Sequence, residues 1–189
     1  MDKDVTILSD NRLLENIALG DTASFDQLFH HHYDRVYGLL YRLVGTRTEA
    51  EDITQEVFVK LYKHAFEKRF MSQREHNIGA WLYRTAMNSG YNALRSNQRR
   101  EKRDAHLVPD PKGSPGVDRT VEQRERETAV RQALSKINQR DAQLLLMRQM
   151  GFSYAECAEA VNVASSSVGT LIKRAAEAFK AVYEGDQNV

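Results

Sequence analysis

Apolar residues recur three and four positions apart over most of the chain, a period that predicts helices rather than strands. The longest such run is Phe25, Leu28, Phe29, His32, Val36, Leu39, Leu40 and Leu43. These positions make one face of a helix capped by Asp21 or Thr22 and ended by Gly45. A short helix, Asn11–Leu19, precedes it and stops at Gly20. A third helix from about Thr48 to His64 turns Ile53, Val57, Phe58 and Leu61 inward, and a loop follows over about 66–77. A fourth, Ile78 to about Arg100, buries Trp81, Leu82, Ala86 and Leu94. Further along come a charged helix over Val121–Ile137 and a helix over Gln139–Met150 capped by Asn138, with Leu144, Leu145 and Met147 inward. Gly151 ends it, and Ser153 with Glu156 forms an S-x-x-E capping box opening Tyr154–Val161. The last helix runs from about Ser165 to Tyr183. No long alternating run of β-branched residues interrupts this series, so the expected fold class is all-α.

All three prolines, Pro109, Pro111 and Pro115, fall in one polar stretch with Gly113 and Gly116. A segment so poor in apolar residues cannot bury enough surface to fold alone. It is expected to be a flexible linker over 101–120, joining a helical domain at 1–100 to a second at 121–189. Composition then narrows the function classes. The 27 basic and 26 acidic residues nearly cancel, so any nucleic-acid surface must arise by local clustering. Cys157 is the single cysteine, which leaves no internal disulfide and no cysteine pair for a metal. The N-terminus lacks a basic run followed by an apolar core, and no apolar stretch approaches a membrane span. A reducing cytoplasm without membrane insertion is the expected setting.

The last two helices carry the first chemical signal. A helix-turn-helix needs a small residue where its helices cross, a turn residue tolerant of positive φ, and a branched apolar residue in the second helix. Ala158, Asn162 and Val168 stand at those spacings, with Val163, Leu171 and Ile172 completing the core. The outward face at the start of the second helix then offers Ser165, Ser166, Ser167, Gly169, Thr170, Lys173 and Arg174. Hydroxyls and helix-terminal amides can hold phosphates, and the cations can neutralise phosphates or reach guanine edges. A plain helical hairpin with a solvated face would show part of this pattern. The motif does not separate a repressor from other DNA-binding proteins.

The fourth helix carries the second signal. Arg84, Asn88, Asn92 and Arg95 recur along one stripe, which Arg99, Arg100, Lys102 and Arg103 extend. Asparagine can bond base edges and arginine can hold phosphates. Tyr83 and Tyr91 could add flat surfaces for unpaired bases, a combination suited to partly melted DNA. A solvated helix face would look similar. On the third helix, Asp52, Gln55, Glu56, Val59 and Lys60 point away from the core, a mixed surface equally consistent with protein docking or with ordinary exposure.

In this order the pieces resemble the extracytoplasmic-function (ECF) group of sigma factors. The residues that carry the resemblance are Gly20-Asp21 with Ala23-Ser24-Phe25, the run Ala50–Phe58, and the run Trp81–Asn88 with Arg99-Arg100. The run Gly151–Glu156 and Val168-Gly169-Thr170 complete it. The resemblance implies that Asp52, Gln55, Glu56, Phe58 and Lys60 dock on core RNA polymerase. It implies that Arg84, Asn88, Asn92, Arg95, Arg99 and Arg100, with the loop at about 70–80, capture and melt the minus-ten element of promoter DNA. The recognition helix would read the minus-thirty-five element as duplex, and the linker would thread toward the polymerase active-site channel. Members are often held inactive by an anti-sigma factor. The chain departs from the family pattern at several places. Phe70 is followed by Met71-Ser72, Ile78 replaces an aromatic, Leu171 fills a position often basic, and Cys157 replaces isoleucine.

Other chemistries are poorly served. His30, His31 and His32 are successive on a helix and point about 100° apart, so they cannot converge on one ion. Cys157 falls on the inward side of its helix, where an apolar role outweighs redox sensing. No nucleophile–base–acid set and no phosphate-cradling glycine loop occurs, so neither catalysis nor a cofactor is expected. Two other readings stay open: a helix-turn-helix regulator that acts without replacing the sigma subunit, and a protein-interaction module whose helix-turn-helix is vestigial.

Overall fold

The computed structural model describes residues 8–67, 77–104 and 121–187. Most of the expected loop at 66–77 and residues 105–120 of the expected linker lie outside them. Among the described residues the chain is helical throughout. The elements are α1 (Asp10–Ala18), α2 (Thr22–Val44), α3 (Arg47–Phe66), α4 (Ile78–Asp104), α5 (Val121–Lys136), α6 (Gln139–Gln149), α7 (Tyr154–Val161) and α8 (Ser165–Gln187).

Local chemistry sets the helix ends. Ser9 accepts from the Arg12 amide at the start of α1, Asp21 from the Ala23 amide at α2, and Asn138 from the Arg140 amide at α6. α2 stops because Gly45 turns to φ 84°, where a side chain would be strained, and its amide closes back on the Tyr41 carbonyl at 2.9 Å. α4 runs to Asp104, past the expected end at Arg100. Arg99 to Arg103 are good helix formers, and no breaker appears before Pro109.

α2, α3 and α4 pack on one another, with α1 laid across α2 and α3. Leu13, Ile17, Leu28, Leu39, Leu40, Leu43, Leu61 and Leu82 are fully buried there. An aromatic row, Phe29, Tyr33, Tyr37 and Tyr41, lines α2, with ring centroids 4.9, 5.8 and 6.0 Å apart in succession. Phe29 also meets Phe58 of α3 at 4.7 Å. In the C-terminal half, α8 packs across α5, α6 and α7 around Leu144, Met147, Val168 and Ala175.

The halves do not stand apart. α4 packs on α5 and α7, and α2 on α5 and α6, so the buried residues of both form one continuous cluster. Tyr91 of α4 is fully buried, its hydroxyl 2.5 Å from the Ile137 carbonyl and 3.2 Å from those of Leu134 and Ser135. Tyr83 meets Phe152 edge-on at 4.7 Å, and the Arg35 guanidinium lies 4.8 Å from the Phe152 ring centre.

Candidate nucleic-acid interface

The helix-turn-helix is built as its residues require. Ser153 and Glu156 close the capping box reciprocally at the start of α7. Asn162 takes φ 57°, ψ 56° at the turn, the one non-glycine residue at positive φ among the described residues. The Val163 amide then reaches the Ala158 carbonyl at 2.9 Å. Ala158 and Val168 are buried where α7 crosses α8. Ser165, Ser166, Ser167, Thr170, Lys173 and Arg174 are exposed, and Gly169 is half-buried beside them. This candidate set is thus exposed around the first turns of α8, apart from the half-buried Gly169.

Tyr154, 45% exposed, adds to this face without having been singled out by sequence. A Cβ at Gly169 would lie 3.5 Å from its ring, and the Arg148 guanidinium sits 4.9 Å from the ring centre. Its position as first residue after the cap was the only available signal.

The α4 stripe has the expected geometry but a different environment. Arg84 donates from Nε to the Ala160 carbonyl at 2.9 Å and from Nη2 to the Glu159 carbonyl at 2.6 Å, both on α7. The Asn88 side-chain oxygen accepts from Gln139 Nε2 at 2.7 Å. The Arg95 guanidinium lies 4.8 Å from the centre of the Tyr91 ring. Arg95 and Arg99 line a cleft of about 240 Å³ with Gln98 and Ser135. Asn92 and Arg100 are exposed. Tyr83 and Tyr91, read as possible stacking surfaces, are instead buried at 3% and 0% exposure. Their rings fill the core and the seam between the halves. Burial pushes both hydroxyls above the ordinary tyrosine pKa; Arg35 beside Tyr83 and Arg95 beside Tyr91 act in the opposite sense.

On α3, Asp52, Gln55, Glu56 and Lys60 are exposed, and Val59 joins them at 50%. Lys60 reaches across to Ser89 Oγ of α4 at 3.3 Å and sits 3.9 Å from Glu56. Phe58 differs from the expectation of a docking contact. It is 2% exposed, because its ring packs on Phe29, and it has almost no surface to offer a partner. It supports the outer face from beneath.

His32 is held by Asp10 at 2.7 Å and Tyr83 at 3.3 Å, while His31 approaches Asp10 at 3.6 Å. The hydrogen bond from His32, opposed by burial, holds Asp10 below the usual carboxylate range. No group of three potential metal ligands occurs among the described residues. No helix there is long and apolar enough to cross a membrane.

Comparison with known proteins finds one family in both halves of the chain. The family model for sigma-70 region 2 matches residues 28–100, and that for sigma-70 region 4 matches residues 127–179. The chain is similar to the RNA polymerase sigma-H factor of Pseudomonas aeruginosa, 28% identical with 90% of this chain and 91% of that protein covered. It is similar to the ECF RNA polymerase sigma factor SigW of Bacillus subtilis, 25% identical over 88% of this chain and 92% of the relative. In fold it resembles CnrH, solved in complex with the cytosolic domain of CnrY, with a TM-score of 0.63. That match has 18% identity and covers 94% of this chain and 98% of the other. The sigma factor RpoE of Bartonella quintana, solved in complex with the anti-sigma factor NepR, matches with a TM-score of 0.52. There the identity is 18%, with 85% of this chain and 96% of the other covered.

Proposed function

The chain belongs to the ECF group of the sigma-70 family, with regions 2 and 4, and we propose on that basis that it is an alternative sigma factor. It binds core RNA polymerase and directs initiation at a particular set of promoters. The observation that carries this reading is the pairing, in one chain, of an open helix-turn-helix face with an arginine–asparagine stripe on α4. Two such faces suit the two separate elements of one promoter better than the paired half-sites of a dimeric repressor.

The division of labour follows from what each surface offers. Residues 1–100 hold the docking face, with Asp52, Gln55, Glu56 and Lys60 meeting core polymerase and Phe58 supporting them. The same segment carries Arg84, Asn88, Asn92, Arg95, Arg99 and Arg100 to phosphates and base edges of the melted minus-ten element. Residues 121–189 bring Ser165, Ser166, Ser167, Gly169, Thr170, Lys173 and Arg174 to the major groove at minus thirty-five. Residues 101–120 tether the two. The chain does no chemistry of its own, since phosphodiester formation belongs to the polymerase. It works in the cytoplasm, and an anti-sigma factor is its natural antagonist, as one is bound to the RpoE relative.

Run-off transcription with purified core polymerase on a random promoter library tests the reading. The protein should select templates sharing two spaced elements, and core alone should not. Selection of a palindromic duplex site without polymerase would instead identify a regulator that leaves the sigma subunit in place.

A further inference from the structure

We infer that Glu177 is a specificity-determining residue of the recognition helix: its carboxylate accepts from the amino group of a cytosine in the major groove and selects that base at one position of the minus-thirty-five element. This deepens the reading of α8 as the upstream face and rests on it.

Glu177 lies outside the set that the sequence singled out, yet the helix carries it onto the same line. Val168 and Ala175 are fully buried and fix the inward side of α8. At about 100° per residue, Ser166, Thr170, Lys173 and Glu177 fall within roughly 60° of one another on the opposite side. All four are exposed. The helix rises ~16 Å from Ser166 to Glu177. That length matches about five base-pair steps of duplex.

Nothing nearby claims the carboxylate. Lys180, about one turn on, pairs with Glu184 at 3.7 Å instead. Among the described residues no hydrogen bond or ion pair engages Glu177. Ala176 and Ala181, which flank it on the helix surface, are exposed and too small to hold α8 off the floor of a groove.

The chemistry then picks the base. The hydroxyls of Ser166 and Thr170 both donate and accept, and Lys173 only donates. Glu177 is the one pure acceptor on this line. Beside phosphates an unpaired carboxylate weakens binding to every duplex alike, unless a donor on a base edge offsets the repulsion. In the major groove guanine and thymine present carbonyl oxygens where cytosine and adenine present amino groups, so the first two repel it. Adenine sets its N7 acceptor beside the amino group, whereas cytosine sets no acceptor there. Cytosine is therefore the better partner, through its N4 amino group.

The test is selection from the random promoter library by the full-length chain with core polymerase, run in parallel with Glu177→Ala and Glu177→Gln. An exposed helix position accommodates both residues. The unsubstituted chain should favour cytosine at one upstream position by about fivefold or more over guanine and thymine. Glu177→Ala should lose that preference. Glu177→Gln should move it to adenine, whose N6 and N7 pair with a primary amide. The downstream element should stay the same in all three.

Loss of the cytosine preference in the alanine variant is the deciding result. A solvated acid that merely repels phosphates would give something else: recovery of all templates rises together and the base pattern stays put. An upstream pattern that is the same with and without Glu177 overturns the proposal and leaves α8 as the upstream reader. Templates that share no upstream element in any of the three selections overturn that reading as well.

Discussion

Asn162 shows how one residue can fix a motif. It holds φ 57° between α7 and α8, where a β-branched side chain meets the backbone carbonyl. Asn162→Gly should keep thermal stability within a few tenths of a kcal/mol, whereas Asn162→Val should cost about 1–2 kcal/mol. Chemical denaturation measures both, and equal midpoints would show that the turn tolerates either conformation. Cys157 is the contrasting case. It is fully buried, and burial pushes its thiol above the ordinary cysteine range despite the nearby Arg148. Iodoacetamide should therefore leave the native protein unmodified at pH 8 and label it only after denaturation. Both residues were legible in sequence, Asn162 from its place in the motif and Cys157 from the inward side of its helix. Phe58 was half legible, because its period marked it as core while the family resemblance marked it as contact. Packing against Phe29 decides for the core.

Helices were the most legible level, because their ends depend on residues a few positions away. The cap at Ser153 with Glu156, the stop at Gly45 and the turn at Asn162 each act within one helical turn. How closely two helices approach depends on residues far apart in sequence, and Gly90 is an example. A Cβ there would come within 2.7 Å of Leu40 Cδ2 and 3.0 Å of Leu43 Cδ2. Both leucines are fully buried, so their methyls have no free space to enter. In an open helix, glycine to alanine gains about 0.5–1 kcal/mol. At Gly90 the overpacking, about 1–3 kcal/mol, should reverse the sign. Gly185 in α8 has nothing within 4 Å of its would-be Cβ and serves as the control. Gly90→Ala should lower the melting temperature and Gly185→Ala should leave it equal or higher. A gain at Gly90 would mean that α2 and α4 pack more loosely than the structure shows.

At the scale of the molecule, the sequence pattern is silent for a definite reason. An amphipathic period tells which residues turn away from their own bundle, but not what covers them afterwards. Arg84 and Asn88 read as solvent-facing, and they do face outward from the N-terminal helices, yet their partners lie on α7 and α6. Tyr83 and Tyr91 gave no warning of burial, since each combines an apolar ring with a polar tip. Glu156 offers a way to test the joined halves as a unit. Burial alone would raise its pKa, but the Ser153 amide and hydroxyl and the Arg35 guanidinium outweigh it, leaving the carboxyl below its ordinary 4.5. A folded-state pKa below the unfolded one contributes stability above the unfolded value and loses it as pH falls through the folded one. Glu156→Gln keeps a side chain that can close the capping box and removes only the charge. Urea midpoints of the two proteins should therefore differ at pH 7, with the variant lower, and converge as the pH falls below the ordinary 4.5 and through the lowered folded-state pKa. A gap that stays constant from neutral to acid pH would assign the effect to shape rather than charge, and the Arg35 bridge would then play no part in joining the halves.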